Sequence, residues 1–115
     1  MSYVDGFVAP VHKDKKDAYL KSARTAAEVF KELGAVAVVE NWGNDVPEGK
    51  LTSFPLAVKR EDDEIVVFSW VVWPSKEVRD TAWAKAQEDP RMNMMDMPFD
   101  GKRLIYGGFE TILSV

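Results

Sequence analysis

One predicted strand, residues 64–73 (EIVVFSWVVW), carries large apolar side chains at nearly every position. Successive strand residues point to opposite faces of a sheet, so Val71 and Trp73 share one face. Phe68 and Trp70 then share the other face. A sheet built from such strands must be covered on both sides. The chain has only two good helices, enough for one side, so we predict a homodimer whose sheets pack together.

A length of 115 residues leaves room for one small domain, which we predict to span residues 1–115. Hydrophobic residues at 46% and charged residues at 30% are typical of globular proteins. The net charge of −4 argues against a nucleic-acid partner. No stretch approaches the roughly 20 apolar residues of a membrane span, and the N-terminus lacks signal-peptide features. The absence of cysteine excludes disulfides and thiol nucleophiles. We therefore expect a cytoplasmic protein that binds neither nucleic acid nor membranes.

The order of predicted elements is β-α-β-β-α-β, which indicates an α+β, ferredoxin-like sandwich with an antiparallel sheet. Strands are predicted at residues 3–11, 35–42, 65–73 and 103–110. The first helix is predicted to begin near Asp14 as N-cap and to end at Gly34. Its apolar stripe consists of Tyr19, Ala23, Ala26, Phe30 and Leu33. The second helix should have Ser75 as N-cap and end at Pro90.

Two segments are harder to interpret. In residues 52–60, alternation permits a strand, whereas Ser53 as N-cap and Pro55 in the first turn permit a short helix. We favour a short helical or irregular insert, because a further core strand would upset the antiparallel order. Gly107 and Gly108 predict a bulge or opening in the last strand.

Several motifs resemble a known bacterial family. They are residues 3–8 (YVDGFV), 45–50 (DVPEGK), 67–70 (VFSW), 98–103 (PFDGKR) and 106–110 (YGGFE). Together they are similar to the family called domain of unknown function 1428, over essentially the whole chain. The resemblance implies the dimeric α/β-barrel superfamily, in which two ferredoxin-like subunits pack sheet to sheet. It implies no established activity. The superfamily fold is similar to cofactor-free monooxygenases, small-ring isomerases and haem-degrading enzymes, but fold alone does not assign chemistry.

Acidic residues interrupt three of the apolar strands. Asp5 shares a face with Tyr3 and Phe7, where burial would favour a neutral carboxyl group able to act as general acid or base. Alternatively, it bonds to backbone or to an arginine or lysine. Glu40 and Glu110 can face a pocket or lie at the rim. An acid cluster would require all three to converge.

His12 is the only histidine and follows the first strand. In the predicted sheet, His12, Glu64 and Arg103 share one rim. As a catalytic base, His12 would need a partner to fix its tautomer. The alternative is a surface histidine in a lysine-rich turn.

Aromatic and sulfur-containing side chains are also candidates for a binding site. Trp42 and Trp70 can line an aromatic pocket, while Trp73 and Trp83 flank the second helix. The alternative for all of them is packing in the core and dimer interface. Methionines 92, 94, 95 and 97 can form an adaptable lid over an apolar ligand or fill gaps in a loop.

The remaining patterns indicate neither a metal site nor a cofactor. No histidine and carboxylate cluster has metal-ligand spacing, and no phosphate-binding glycine motif is present. The RNA-recognition fold has the same element order, but the strand at residues 63–68 lacks its basic and aromatic pattern.

Two hypotheses from different classes follow. The first is a protein that binds a small apolar or aromatic molecule between sheet and helices, either as a binding protein or as a cofactor-free enzyme. Its catalytic candidates are Asp5, His12 and Glu40, and its ligand-binding candidates are Trp42, Trp70 and Arg103. The alternative is a non-catalytic dimeric structural or regulatory module.

Overall fold

Four antiparallel strands form one sheet. They are β1 (Tyr3–His12), β2 (Ala37–Trp42), β3 (Glu64–Trp73) and β4 (Ile105–Glu110), in the order β2-β3-β1-β4. The computed structural model describes residues 2–93 and 97–115. The two main helices cover one side of the sheet, so the predicted ferredoxin-like α+β fold is confirmed.

The helices are α1 (Lys16–Glu32), α2 (Phe54–Ala57), α3 (Lys76–Ala86) and α4 (Pro90–Asn93). None of them, within the described part of the chain, is long and apolar enough to cross a membrane. The prediction of Asp14 as N-cap is wrong, because a 3-10 turn at Lys13–Lys15 precedes α1. The Nδ1 atom of His12 accepts a hydrogen bond from the backbone N–H of Asp14 at 3.2 Å and caps that turn instead.

The second long helix begins as predicted but ends earlier. The hydroxyl group of Ser75 accepts a hydrogen bond from the N–H of Val78, which makes Ser75 the N-cap of α3. The helix ends at Ala86. Pro90 does not end it but begins α4, a position that suits proline because the first N–H of a helix has no partner within it.

The insert between β2 and β3 contains the short helix α2, as predicted. Ser53 is its N-cap and accepts a hydrogen bond from the N–H of Leu56 at 3.0 Å. After α2, the fully buried Val58 packs with Val8 and Val66 on the side of the sheet opposite α1 and α3. The insert therefore covers only one end of that side.

The glycine pair in β4 forms no bulge, contrary to the prediction. Register between β1 and β4 continues without interruption from Tyr3 opposite Glu110 to Val8 opposite Ile105. A Cβ atom on Gly108 would overlap the Tyr3 ring and approach Arg79. Glycine is present here because these two side chains come close to the backbone.

Side chains along the strands point alternately to the two sides of the sheet, as predicted. One side is packed against the helices, and the other is incompletely covered. On the packed side, Val71 and Trp73 contact the buried residues of α1 and α3. The opposite side, called here the open face, includes Phe68 and Phe109, which are 42% and 62% exposed.

Candidate functional site

A cavity of about 150 Å³ lies between the packed side of the sheet and the helices. Its apolar walls include Phe7, Phe30, Val67, Trp83, Met97 and Phe99. A dry apolar cavity of about this volume is large enough for a benzene ring. Among the described residues, only Tyr19, Glu40 and Ser69 bring hydroxyl or carboxyl groups to its lining.

These three polar residues, called here the polar corner, come together through strand register and helix packing. Glu40 of β2 stands directly opposite Ser69 of β3, so their side chains share the packed side of the sheet. Tyr19 lies near the start of α1 and packs over them. Its hydroxyl group donates a hydrogen bond of 2.6 Å to Oε1 of Glu40. The Ser69 hydroxyl hydrogen-bonds within the same group.

Burial sets the protonation behaviour of the polar corner. It raises the pKa of Glu40, and the hydrogen bonds from Tyr19 and Ser69 offset this only in part. Burial, together with the neighbouring Glu40, also raises the pKa of Tyr19. No cation of the described residues contributes to the pKa shift of Glu40. Glu40 can therefore gain and lose a proton closer to neutral pH, while Tyr19 remains a hydrogen-bond donor.

Asp5 occupies a different environment on the same side of the sheet. It is only 3% exposed. Arg79 donates from Nη2 to Oδ1 at 2.8 Å, forming an ion pair. The indole N–H groups of Trp73 and Trp83 donate to Oδ2 at 2.9 and 2.8 Å. Asp5 does not line the cavity. Its carboxylate is fully engaged, and a catalytic role for it remains a prediction.

His12 and Arg103 lie at the rim of the sheet, where the sequence places them. His12 stands opposite Glu64 in the β1–β3 register. Arg103 binds both carboxylate oxygens of Glu64, at 2.6 and 2.8 Å, and these hydrogen bonds lower the pKa of Glu64. Neither His12 nor Arg103 lines the cavity. The catalytic role of His12 and the ligand-binding role of Arg103 remain predictions.

The tryptophans predicted to share a pocket lie on opposite sides of the sheet. Trp42 is on the packed side, with its ring centroid 6.4 Å from that of Tyr19. Trp70 is on the open face, with its ring centroid 5.3 Å from that of Phe68. Because β2 and β3 are paired with Trp42 opposite Val67, these two rings cannot line one pocket together.

The methionine-rich segment contributes to the cavity in part. Met92 and Met97 line it. Met94 and Met95 lie outside the described residues. The methionine lid therefore stays a prediction from the sequence.

Sequence reasoning identified Glu40 but missed its two partners. Tyr19 was predicted as part of the apolar stripe of α1, and Ser69 was not singled out. A signal for Ser69 was present, since it is a small polar residue between Val67 and Val71 on the packed side of an otherwise apolar strand. Recognising that Glu40 pairs with Ser69 requires the register between β2 and β3, which cannot be read directly from the sequence.

Known proteins are similar to this chain over nearly all of its residues. The model of a family described as a protein of unknown function, DUF1428, matches residues 2–101. The uncharacterized protein YbaA of Escherichia coli K12 is 60% identical over 116 residues, covering 99% of both chains.

Two solved structures are similar in fold. A mutant of SnoaB, a cofactor-independent oxygenase from Streptomyces nogalater, has a TM-score of 0.62 at 17% identity, covering 99% of this chain and 96% of that one. A dimeric ferredoxin-like protein from an uncultured marine organism has a TM-score of 0.60 at 10% identity, covering all of both chains. At such low identity these likenesses concern the fold alone. The family match and the close relative show more: the chain belongs to the DUF1428 family.

Proposed function

We propose that this protein is a homodimer in which each subunit binds a small, largely apolar or aromatic molecule in the cavity between sheet and helices. The observation that carries the proposal is the polar corner, in which a protonatable carboxyl group faces an otherwise apolar cavity. Ligand sites are typically apolar with a few convergent polar groups, and residues of perturbed pKa cluster in them.

The cavity also limits the size of the ligand. The space between the lining side chains is about 150 Å³. Typical ligand pockets range from about 300 to 1,000 Å³. A molecule with one ring fits this volume.

The open face supports the homodimer. Phe68, Ile105 and Phe109 leave it apolar and exposed in the single chain. A contiguous apolar patch of this kind marks an interaction surface in soluble proteins. The dimeric ferredoxin-like neighbour adds support by likeness of fold. We expect sedimentation velocity to give a dimer, and Phe68→Glu to give a monomer. A monomeric wild-type protein at micromolar concentration would contradict this part of the proposal.

A second candidate is a non-catalytic dimeric structural or regulatory module. The small cavity volume favours it, because a void of this size can also be a packing defect. The two candidates differ in whether the cavity takes up a ligand.

Cyclohexanone and phenol are suitable probes, because each combines one ring with one oxygen. We expect either probe to shift amide resonances of cavity residues in two-dimensional NMR spectra. These shifts should reach a limit as the probe concentration is raised. Ala26 of α1 lines the cavity, so Ala26→Leu should fill it and abolish the shifts. Ala18, exposed on the same helix, gives the matched control Ala18→Leu, which should bind as the wild type does. Equal shifts in Ala26→Leu and wild type, or none in either, would overturn the proposed ligand site.

A further inference from the structure

We propose that the cavity catalyses proton transfer between carbon and oxygen of a small neutral cyclic ketone and its enol, with Glu40 carrying the proton and Tyr19 donating a hydrogen bond to the oxygen. This inference rests on the proposed function, since the ligand must first enter the cavity. It adds a reaction and a substrate class to the site.

The charges around the cavity favour a neutral ligand. No lysine or arginine belongs to its described lining. A carboxylate or phosphate ligand would therefore enter an apolar space beside Glu40 with no opposite charge to compensate it, which is costly. The apolar walls suit a hydrocarbon ring, and the polar corner suits a single oxygen function on that ring.

The hydrogen bond between Tyr19 and Glu40 fixes the catalytic geometry. At 2.6 Å, the phenol holds Oε1 of the carboxyl group in one orientation on the cavity wall. A base held in one orientation beside apolar walls is a stronger proton acceptor than a freely solvated one. The Tyr19 hydroxyl has one hydrogen, which the ionised Glu40 accepts. As negative charge passes from Glu40 to the ligand oxygen, that hydrogen turns from Oε1 to the ligand oxygen.

The reaction balances without any co-reactant. The Glu40 carboxylate takes a proton from the carbon adjacent to the carbonyl group, and the C–H electron pair becomes a carbon–carbon π bond. The carbonyl π pair moves onto oxygen. The Tyr19 hydrogen, which Glu40 no longer holds once the carboxylate is protonated, turns to that oxygen and stabilises it. Protonated Glu40 then returns its proton to the oxygen, which gives the enol, or to carbon, which restores the ketone. No electron is gained or lost overall.

Other acidic and basic groups suit this role less well. Asp5 is bound by Arg79 and two indoles and does not reach the cavity. His12 is at the rim, where its Nδ1 atom accepts from the backbone of Asp14. Among the described residues, Glu40 is the carboxyl group that lines the cavity.

The experiment measures exchange of the α-hydrogens of cyclohexanone for deuterium in deuterium oxide, followed by proton NMR with the full-length protein. We expect saturable catalysis by the wild type. Glu40→Gln should reduce the rate about 100-fold or more, the usual contribution of a general base. Tyr19→Phe should reduce it about 100-fold, the usual cost of removing one donor to a developing oxyanion. Both variants should still show cyclohexanone-induced amide shifts. Glu28→Gln, which changes an exposed glutamate on α1, is the matched control and should retain the wild-type rate.

The outcomes separate this inference from the proposed function. Binding of cyclohexanone to the wild type with no exchange above that of Glu40→Gln would overturn the proton transfer and leave the binding site standing. Failure of cyclohexanone and phenol to bind would overturn both. If Glu40→Gln does not fold, the wild-type rate decides alone. It should rise with pH through a single ionisation and then reach a plateau, and a rate independent of pH would overturn the inference.

Discussion

Asp5 and Glu40 are two acidic side chains on the same side of one sheet, yet their surroundings differ sharply. Asp5 of β1 meets Arg79 and Trp83, both from α3, and the indole of Trp73 from β3. Glu40 of β2 meets the hydroxyl groups of Tyr19 and Ser69 and no cation of the described residues. The first carboxylate has a cation and two indole donors, and the second has hydroxyl donors.

The difference arises from the helices that cover each strand. The α3 helix supplies a guanidinium and an indole donor, so a charged carboxylate on β1 is fully compensated. The α1 helix presents an apolar stripe with one phenol, so a charged carboxylate on β2 is compensated only in part. The helix face that packs on each strand therefore decides whether its acidic residue meets a cation.

The largest expected effect is the loss of stability in Asp5→Ala. Removing one partner of a buried ion pair costs about 3–5 kcal/mol, because the remaining charge and the two indole N–H groups lose their acceptor. Urea unfolding at a fixed protein concentration, followed by circular dichroism, measures it. Glu110→Ala, at an exposed carboxylate on β4, should change stability by less than about 0.5 kcal/mol. A loss below about 1 kcal/mol in Asp5→Ala would show that Asp5 is not a structural anchor.

Tyr19→Phe should have an intermediate effect. It removes the hydrogen bond to Glu40, which costs about 1 kcal/mol of unfolding free energy at neutral pH. The pKa of Glu40 should rise further, because the Tyr19 hydrogen bond lowers it. Tyr106→Phe, at a side chain exposed on β4, is the control and should be neutral. Equal stabilities of Tyr19→Phe and Tyr106→Phe would contradict a stabilising hydrogen bond between Tyr19 and Glu40.

Glu40→Gln should have the smallest effect on the free energy of unfolding, and the sign of this effect depends on pH. The folded-state pKa of Glu40 is raised, so the folded protein binds this proton more tightly than the unfolded chain does. The stability from Glu40 is fully present below the ordinary glutamate pKa of about 4.3 and is lost as the pH rises through the higher folded-state pKa.

Urea midpoints of the wild type and Glu40→Gln across this pH range test the sign. At about pH 4 the two should agree within about 1 kcal/mol, and the variant should gain relative stability as the pH rises. Glu28→Gln provides the control. A wild type that becomes relatively more stable with rising pH would mean that Glu40 is stabilised as an anion.

The sheet and its two faces were predictable because they depend on local patterns. The alternation in residues 64–73 gave the correct faces of β3, and Ser53 and Ser75 gave two correct helix caps. The predictions of where helices begin and of local distortions in the strands were less accurate. A 3-10 turn displaced the expected cap at Asp14, and the glycines of β4 accommodate the Tyr3 ring instead of a bulge.

The site was only partly predictable because its contacts link distant positions. Glu40 was recognisable as an acidic residue in an apolar strand. Its bond to Tyr19 joins residues 21 apart, and the bond between Asp5 and Arg79 joins residues 74 apart. No local pattern encodes which helix face covers which strand. For this reason, the sequence alone did not distinguish the carboxylate that is paired with an arginine from the one that is bound by hydroxyl groups.

The most direct test of this distinction is a carbon-detected NMR titration of the Glu40 carboxyl group in the wild-type protein. Desolvation without a compensating cation predicts a midpoint above about 4.3, the pKa of a free glutamate. A midpoint at or below that value would show that the surroundings of Glu40 stabilise its anion, and would remove the basis for a protonatable ligand site.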